Sequence, residues 1–85
     1  LLAEAGVGVA STFVDSLESA LGRIASAPGV GSLRFAQDLG LPELRAWAVP
    51  GFPYIVFYVP SGDGVDVWRM LHSRRDLPGA FATDD

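Results

Sequence analysis

The clearest pattern in the chain is an amphipathic stretch over residues 9–27. Its apolar residues recur every three or four positions, and serine, threonine and acidic residues fill the positions between them. The apolar positions are Phe13, Val14, Leu17, Leu21 and Ile24. Pro28-Gly29 follows directly, and this pair ends a helix. The pattern therefore predicts a helix over residues 9–27 whose single apolar face packs on a small sheet.

The second half of the chain has the pattern of strands. Residues 54–59 are apolar or aromatic at every position, which is typical of a central strand with both faces covered. Residues 60–64 contain two glycines and an aspartate, the residue types of a hairpin loop. Residues 44–49 are a short strand candidate, and the following prolines predict a turn. We therefore predict a three-stranded antiparallel meander over residues 44–76, with helices on one face.

The last strand begins with alternation between two sets of side chains. Val65, Val67, Arg69 and Leu71 are predicted to point one way, and the residues between them the other. The strand then ends in a group of strong hydrogen-bond donors, followed by an aspartate. These residues are Arg69, His72, Arg74, Arg75 and Asp76. They are the first candidates for a functional site.

The remaining segments have weaker patterns. Residues 30–42 predict an ordered loop with one helical turn near residues 34–39. Residues 1–6 have strong helix formers followed by a glycine, which predicts the end of an earlier helix, and we expect a natural segment upstream of them. Residues 77–85 are predicted to form an irregular tail. We interpret residues 1–85 as a single domain.

Composition narrows the classes of protein to which the chain can belong. The 85-residue chain has no cysteine, so it has no disulfide and no thiolate metal site, which fits a cytoplasmic protein. We also expect no secretory signal, and no apolar run reaches the ~20 residues that cross a bilayer. We expect a cytoplasmic protein that uses neither a cofactor nor a metal.

Charge and hydropathy indicate a surface for another protein. Ten acidic residues outnumber six basic ones, every basic residue is arginine, and the net charge is -4. This charge opposes non-specific binding to nucleic acid, so we expect no direct DNA binding. The hydrophobic share of 49% is high for so short a chain. It indicates either an apolar core of ordinary kind or a surface that a partner covers.

The candidate residues have ordinary structural interpretations too. His72 at a strand end is typical of a hydrogen-bonded structural histidine. The pair Arg75–Asp76 fits a surface ion pair worth ~0–1 kcal/mol. Trp47, Phe57 and Trp68 are predicted to be core residues.

Taken together, several stretches resemble the RelE/ParE toxin superfamily. The most specific are Phe52-Pro53-Tyr54-Ile55-Val56-Phe57-Tyr58 and the ending Arg69-x-x-His72-x-x-Arg75-Asp76, which resemble the ParE branch. The resemblance implies an α+β fold, with a helix or helical hairpin packed on a small twisted antiparallel sheet of three to four strands. Family members usually begin with one more strand and a longer first helix. The resemblance therefore implies that the N-terminal strand and the start of the first helix are missing here.

The ParE branch implies a toxin of a type II toxin–antitoxin system. A ParD-like antitoxin with a ribbon-helix-helix fold would neutralise it in a hetero-oligomeric complex, and its target would be DNA gyrase, inhibited by protein–protein contact without catalysis. We assign gyrase contact to Arg69, His72, Arg74, Arg75 and Asp76. We assign antitoxin contact to Phe13, Leu17, Leu21, Trp47, Phe52 and Tyr54.

Two alternatives remain open. The RelE branch implies a ribosome-dependent mRNA interferase, in which His72 would carry a proton and Arg69, Arg74 and Arg75 would stabilise the developing phosphorane charge. The absence of lysine, the absence of tyrosine after Tyr58 and the negative net charge count against it. The second alternative is a non-toxic module that only binds a partner.

Overall fold

The computed structural model describes residues 7–74. One antiparallel sheet has the strand order β1-β2-β3, with helical segments before it in the chain. The elements are helix α1 (Val7–Ser26), a 3-10 turn (Pro28–Val30), helix α2 (Ala36–Leu39) and strands β1 (Arg45–Ala48), β2 (Tyr54–Ser61) and β3 (Gly64–His72). The predicted α+β class, a helix packed on a small antiparallel sheet, is confirmed. The predictions for residues 1–6 and 77–85 lie outside the described residues.

Strand β2 is the centre of the sheet and is buried on both sides, as its apolar run predicts. Val56 and Tyr58 lie on the face that α1 covers, which we call the α1 face. Ile55 and Phe57 lie on the opposite face, under the segment that contains α2, which we call the α2 face. The expectation that the helices lie on one face of the sheet is therefore wrong. Apolar side chains on both sides of β2 require cover on both sides.

Helix α1 contacts the sheet through only part of its apolar side. Ala20 and Ile24 are 1% and 0% exposed, and Phe13 and Leu17 are half-buried against the same cluster. Other apolar residues of α1 are exposed, among them Val14 at 47% and Leu21 at 36%. The apolar side of the helix is therefore wider than its contact with the sheet.

Strand β3 contains a β-bulge. Met70 pairs with Val56 and Val67 pairs with Tyr58, so three steps along β3 match two steps along β2. Val67 and Met70 consequently share the α1 face, whereas the predicted alternation put them on opposite faces. The prediction that Trp68 is a core residue is wrong too. Trp68 lies in the bulged segment between these two pairs and is 48% exposed.

A group of hydrogen bonds ties the 3-10 turn to the sheet. The fully buried Tyr58 hydroxyl donates to the carbonyl oxygen of Pro28 at 2.6 Å and accepts the N–H of Gly31 at 2.9 Å. The Arg45 guanidinium donates to the carbonyl oxygens of Gly29 and Gly31 at 3.1 and 2.8 Å. A Cβ at position 31 would lie 2.6 Å from the Tyr58 oxygen, so glycine is required there. We call these bonds the Tyr58 latch.

The latch predicts that removal of the Tyr58 hydroxyl oxygen lowers the free energy of unfolding substantially. Tyr58→Phe should lower the free energy of unfolding by about 1–3 kcal/mol, because it removes two hydrogen bonds and leaves a buried N–H without a partner. Urea denaturation followed by circular dichroism measures this loss. Tyr54→Phe is the matched control, since the Tyr54 hydroxyl makes no hydrogen bond among residues 7–74. Equal losses in the two variants would contradict the role of the latch.

Candidate functional site

Four half-buried rings form a continuous row on the α1 face. Phe52 contacts Phe13 with ring centroids 5.0 Å apart, and Phe13 contacts Tyr54 at 5.6 Å. Tyr54 contacts the His72 ring at 5.3 Å. All three contacts are edge-to-face, the geometry that aromatic rings prefer. We call these four residues the aromatic row; it extends from the β1–β2 turn, past α1, to the end of β3.

The turn between β1 and β2 holds one end of the row. Gly51 has a φ of 79°, a left-handed conformation that glycine adopts without strain. The N–H of Phe52 bonds to the carbonyl oxygen of Val49 at 3.2 Å, and the N–H of Val49 bonds to the carbonyl oxygen of Tyr54 at 3.0 Å. The tight turn therefore places Phe52 beside the first residue of β2.

The sheet holds the other end of the row. Tyr54 and His72 are direct partners in the β2–β3 register, so their side chains share the α1 face. Beyond this pair, the N–H of Ser73 bonds to the carbonyl oxygen of Pro53 at 2.9 Å. This bond continues the pairing of the two chain segments to the point where β3 ends.

His72 is held by its own chain as well as by Tyr54. Its Nδ1 accepts a hydrogen bond from the backbone N–H of Arg74 at 3.1 Å. In the neutral ring this acceptor role places the proton on Nε2. Nε2 is therefore the ring nitrogen that can meet another molecule, beside the exposed Arg74.

The structure brings together only part of the predicted target-binding set. Arg69 pairs with Phe57 and lies on the α2 face, whereas His72 pairs with Tyr54 and lies on the α1 face. These two residues are therefore on opposite sides of the sheet. His72 and Arg74 are neighbours, and Arg75 and Asp76 lie outside the described residues.

The residues predicted to contact an antitoxin are closer to one another. Five of the six pack on a single cluster on the α1 face. These are Phe13, Leu17, Trp47, Phe52 and Tyr54. The sixth, Leu21, follows Leu17 by one helical turn and is 36% exposed. The structure thus gathers this set on one side of the sheet, although whether an antitoxin contacts it stays a prediction.

Further apolar side chains on or near this face are exposed, although they were not among the residues predicted to contact an antitoxin. Val67 and Met70 are 49% and 38% exposed, and Val14 on α1 is 47% exposed. The seven-residue spacing of Val14 and Leu21 was a visible signal, because it widens the apolar side of the helix. No sequence signal places Val67 and Met70 together, since they share a face only through the bulge.

Residues 7–74 contain neither a metal-binding cluster nor a membrane-spanning helix. No group of three or more histidine, cysteine or acidic residues in this range is arranged to hold a metal ion. The same range contains no helix that is both long enough and apolar enough to span a membrane.

Comparison with known proteins identifies one family. Residues 1–77 match the family model described as "ParE toxin of type II toxin-antitoxin system, parDE". No curated protein and no solved structure matches the chain significantly. The match covers most of the chain, including β2 and the end of β3, the two stretches that resemble the ParE branch most specifically.

The geometry at His72 predicts its tautomer. His72 is the only histidine, so its ring signals can be assigned without ambiguity. We expect the neutral ring to carry its proton on Nε2, because Nδ1 accepts the N–H of Arg74. Long-range ¹H–¹⁵N correlation spectra recorded at a mildly basic pH of about 8 measure this. A ring protonated on Nδ1 would contradict the observed bond.

Proposed function

We propose, since the chain belongs to the ParE toxin family of type II toxin–antitoxin systems, that it binds DNA gyrase and inhibits it by protein–protein contact. Family membership makes the chain the toxin of such a system and makes an antitoxin its partner. We further propose that this antitoxin is ParD-like, with a ribbon-helix-helix domain, and that the complex is cytoplasmic. No catalytic step is part of this proposal.

The observation that carries the proposal is the surface at the end of β3. Met70 is 38% exposed, Arg74 is exposed and the His72 ring lies beside Arg74. Arginine and aromatic side chains are the commonest residues that dominate protein–protein binding energy. A surface of this composition can bind a protein without any reacting group, which is all that an inhibitor by contact requires.

The arrangement of the same residues gives less support to RNA cleavage. Cleavage through the 2′-hydroxyl requires a general base, a general acid and cations at one point. Nδ1 of His72 is occupied by the backbone of Arg74, and Arg69 lies on the other face of the sheet. The net charge of -4 also opposes docking on ribosomal RNA. These features favour the inhibitor over the mRNA interferase.

The exposed apolar residues support the antitoxin part of the proposal. Val14 and Leu21 on α1 and Val67 and Met70 on β3 are all more than one-third exposed. An antitoxin segment with an apolar side would cover such residues, as amphipathic segments do in hydrophobic grooves. The aromatic row lies on the same face, between α1 and the end of β3.

The proposal predicts inhibition of supercoiling that depends on Arg74. The purified chain should inhibit gyrase in a supercoiling assay with relaxed plasmid. Arg74→Ala should raise the half-inhibitory concentration about tenfold, the effect of losing one hot-spot arginine. Arg23→Ala, at an exposed arginine in the last turn of α1, is the matched control and should leave inhibition unchanged.

The alternatives give different outcomes. Unchanged supercoiling at high concentrations of the chain would overturn gyrase inhibition. New cuts in the ribosomal A site in toeprinting, abolished by His72→Ala and Arg74→Ala, would identify the mRNA interferase instead. Normal growth of cells that express the chain without antitoxin would indicate a non-toxic module that only binds a partner.

A further inference from the structure

The α2 face contains a cavity with an exposed tryptophan in its wall. The cavity, which we call the Trp68 cavity, has a volume of about 220 Å³. It is lined by Leu41, Pro42, Glu43, Leu44, Val59 and Trp68. Its volume is below the roughly 300–1,000 Å³ of pockets for small-molecule ligands, so it suits a side chain better than a cofactor. The Trp68 side chain remains 48% exposed, which leaves much of the indole open to contact.

The bulge in β3 is the reason that Trp68 is available here. Trp68 lies between the pair Met70–Val56 and the pair Val67–Tyr58, where β3 has one residue more than β2. Trp68 thereby lies beside Val59 and Leu44 of the α2 face instead of continuing the alternation of the strand. A bulge at this position re-aims one side chain, and bulges often occur where a side chain is re-aimed for function.

The rim of the cavity is acidic. Glu43 is exposed and makes no ion pair within residues 7–74. Asp66 pairs with Val59 in the sheet and so lies on the same face as the cavity. Glu43 therefore shares the cavity wall with Trp68, and Asp66 adds a second negative charge to the same face, so the two carboxylates raise the local concentration of cations.

The arginines near this rim have other interactions. Arg45 lines a neighbouring cleft together with Glu43, but its guanidinium donates to the carbonyl oxygens of Gly29 and Gly31. Arg69 lies on the same face opposite Phe57 and is itself engaged in an interaction. The guanidinium of Arg45 therefore does not provide the cation that this acidic rim favours.

We propose that the Trp68 cavity binds a basic side chain, arginine or lysine, of the antitoxin. The methylene stem of that side chain lies on Leu41, Leu44 and Val59, its cationic head lies over the indole of Trp68, and Glu43 accepts its hydrogen bonds. This proposal rests on the antitoxin partner that family membership implies, and it does not depend on gyrase as the target.

The chemistry of the wall favours this occupant over the alternatives. A cation over a tryptophan ring is the strongest of the common cation–π pairs, and a nearby carboxylate adds to it. An acidic side chain would meet Glu43 and Asp66 with like charge. A second copy of this chain has a net charge of -4, so the acidic rim would repel it and electrostatics oppose self-association there.

The test measures binding of the full chain to the antitoxin encoded by the neighbouring reading frame, by calorimetry at two salt concentrations. Glu43→Gln should raise Kd about three- to tenfold and reduce its salt dependence, because one charge pair is lost. Trp68→Ala should raise Kd about tenfold or more, and Trp68→Phe should recover part of the loss. Asp63→Asn, at an exposed carboxylate in the loop between β2 and β3 that does not line the cavity, is the control and should change Kd less than about twofold.

A second measurement identifies the occupant on the antitoxin. Alanine replacement of its arginines and lysines one at a time should yield one variant that weakens binding at least as much as Glu43→Gln does. Combining that variant with Glu43→Gln should add little further loss, since both remove the same pair. This non-additivity distinguishes a direct contact from two independent losses.

Three other results would overturn the proposal, and a fourth would overturn only the proposed target. A loss with Trp68→Ala but none with Glu43→Gln would show an apolar occupant. Tight binding that is indifferent to both variants would place the cavity outside the interface. If the unmodified chain did not bind the antitoxin, the antitoxin could not supply the basic side chain and the proposal would be wrong. Normal antitoxin binding without gyrase inhibition would overturn the proposed target and leave the cavity assignment standing.

Discussion

The hydroxyl group of Tyr58 is the constraint on which the arrangement of this molecule depends. It lies in the central strand, is fully buried and makes two hydrogen bonds to the turn that follows α1, to Pro28 and Gly31. A buried hydroxyl without such partners would cost free energy, so these bonds select one position for the turn. That position sets where α1 ends relative to the sheet, because Ala27 still bonds back to Arg23 of the helix at 3.1 Å.

The position of α1 in turn determines the candidate surface. Phe13 lies in the helix, and it is the ring that joins Phe52 of the turn to Tyr54 of β2. Tyr54 then supports His72 at the end of β3. A shift of the helix would separate the first two contacts and leave Tyr54 and His72 as an isolated pair. The aromatic row is therefore organised through the same bonds that hold the turn, whereas the end of β3 is held by its own pairing with β2.

Much of the fold could be predicted because local periodicity determines it. The three- and four-residue spacing from Phe13 to Ile24 gives a helix, and the unbroken apolar run of β2 gives a strand covered on both faces. The helical turn expected near residues 34–39 is present as α2, which ends at Gly40 in a left-handed conformation with a φ of 68°. Each of these features depends on residues that are close in the sequence.

The features that were missed depend on residues distant in the sequence. A bulge adds one residue to a strand without a characteristic composition, so the placement of Trp68 followed from pairing with β2 and not from β3 itself. The latch joins residues 27 and 30 positions apart, and only the folded chain shows why Gly31 has no side chain. The separation of Arg69 and His72 is different, because it was visible in the sequence: an odd separation along a strand puts side chains on opposite faces.

The two faces of the sheet offer a partner different kinds of interaction. The α1 face has exposed apolar and aromatic side chains, whose burial contributes affinity but little orientation. The α2 face has an indole with a carboxylate beside it, which favours one charged group in one position. Charge pairs of this kind increase the rate of association and discriminate between partners more than they increase affinity. If an antitoxin contacts both faces, as we propose, the α1 face would therefore contribute most of the affinity and the α2 face would contribute specificity.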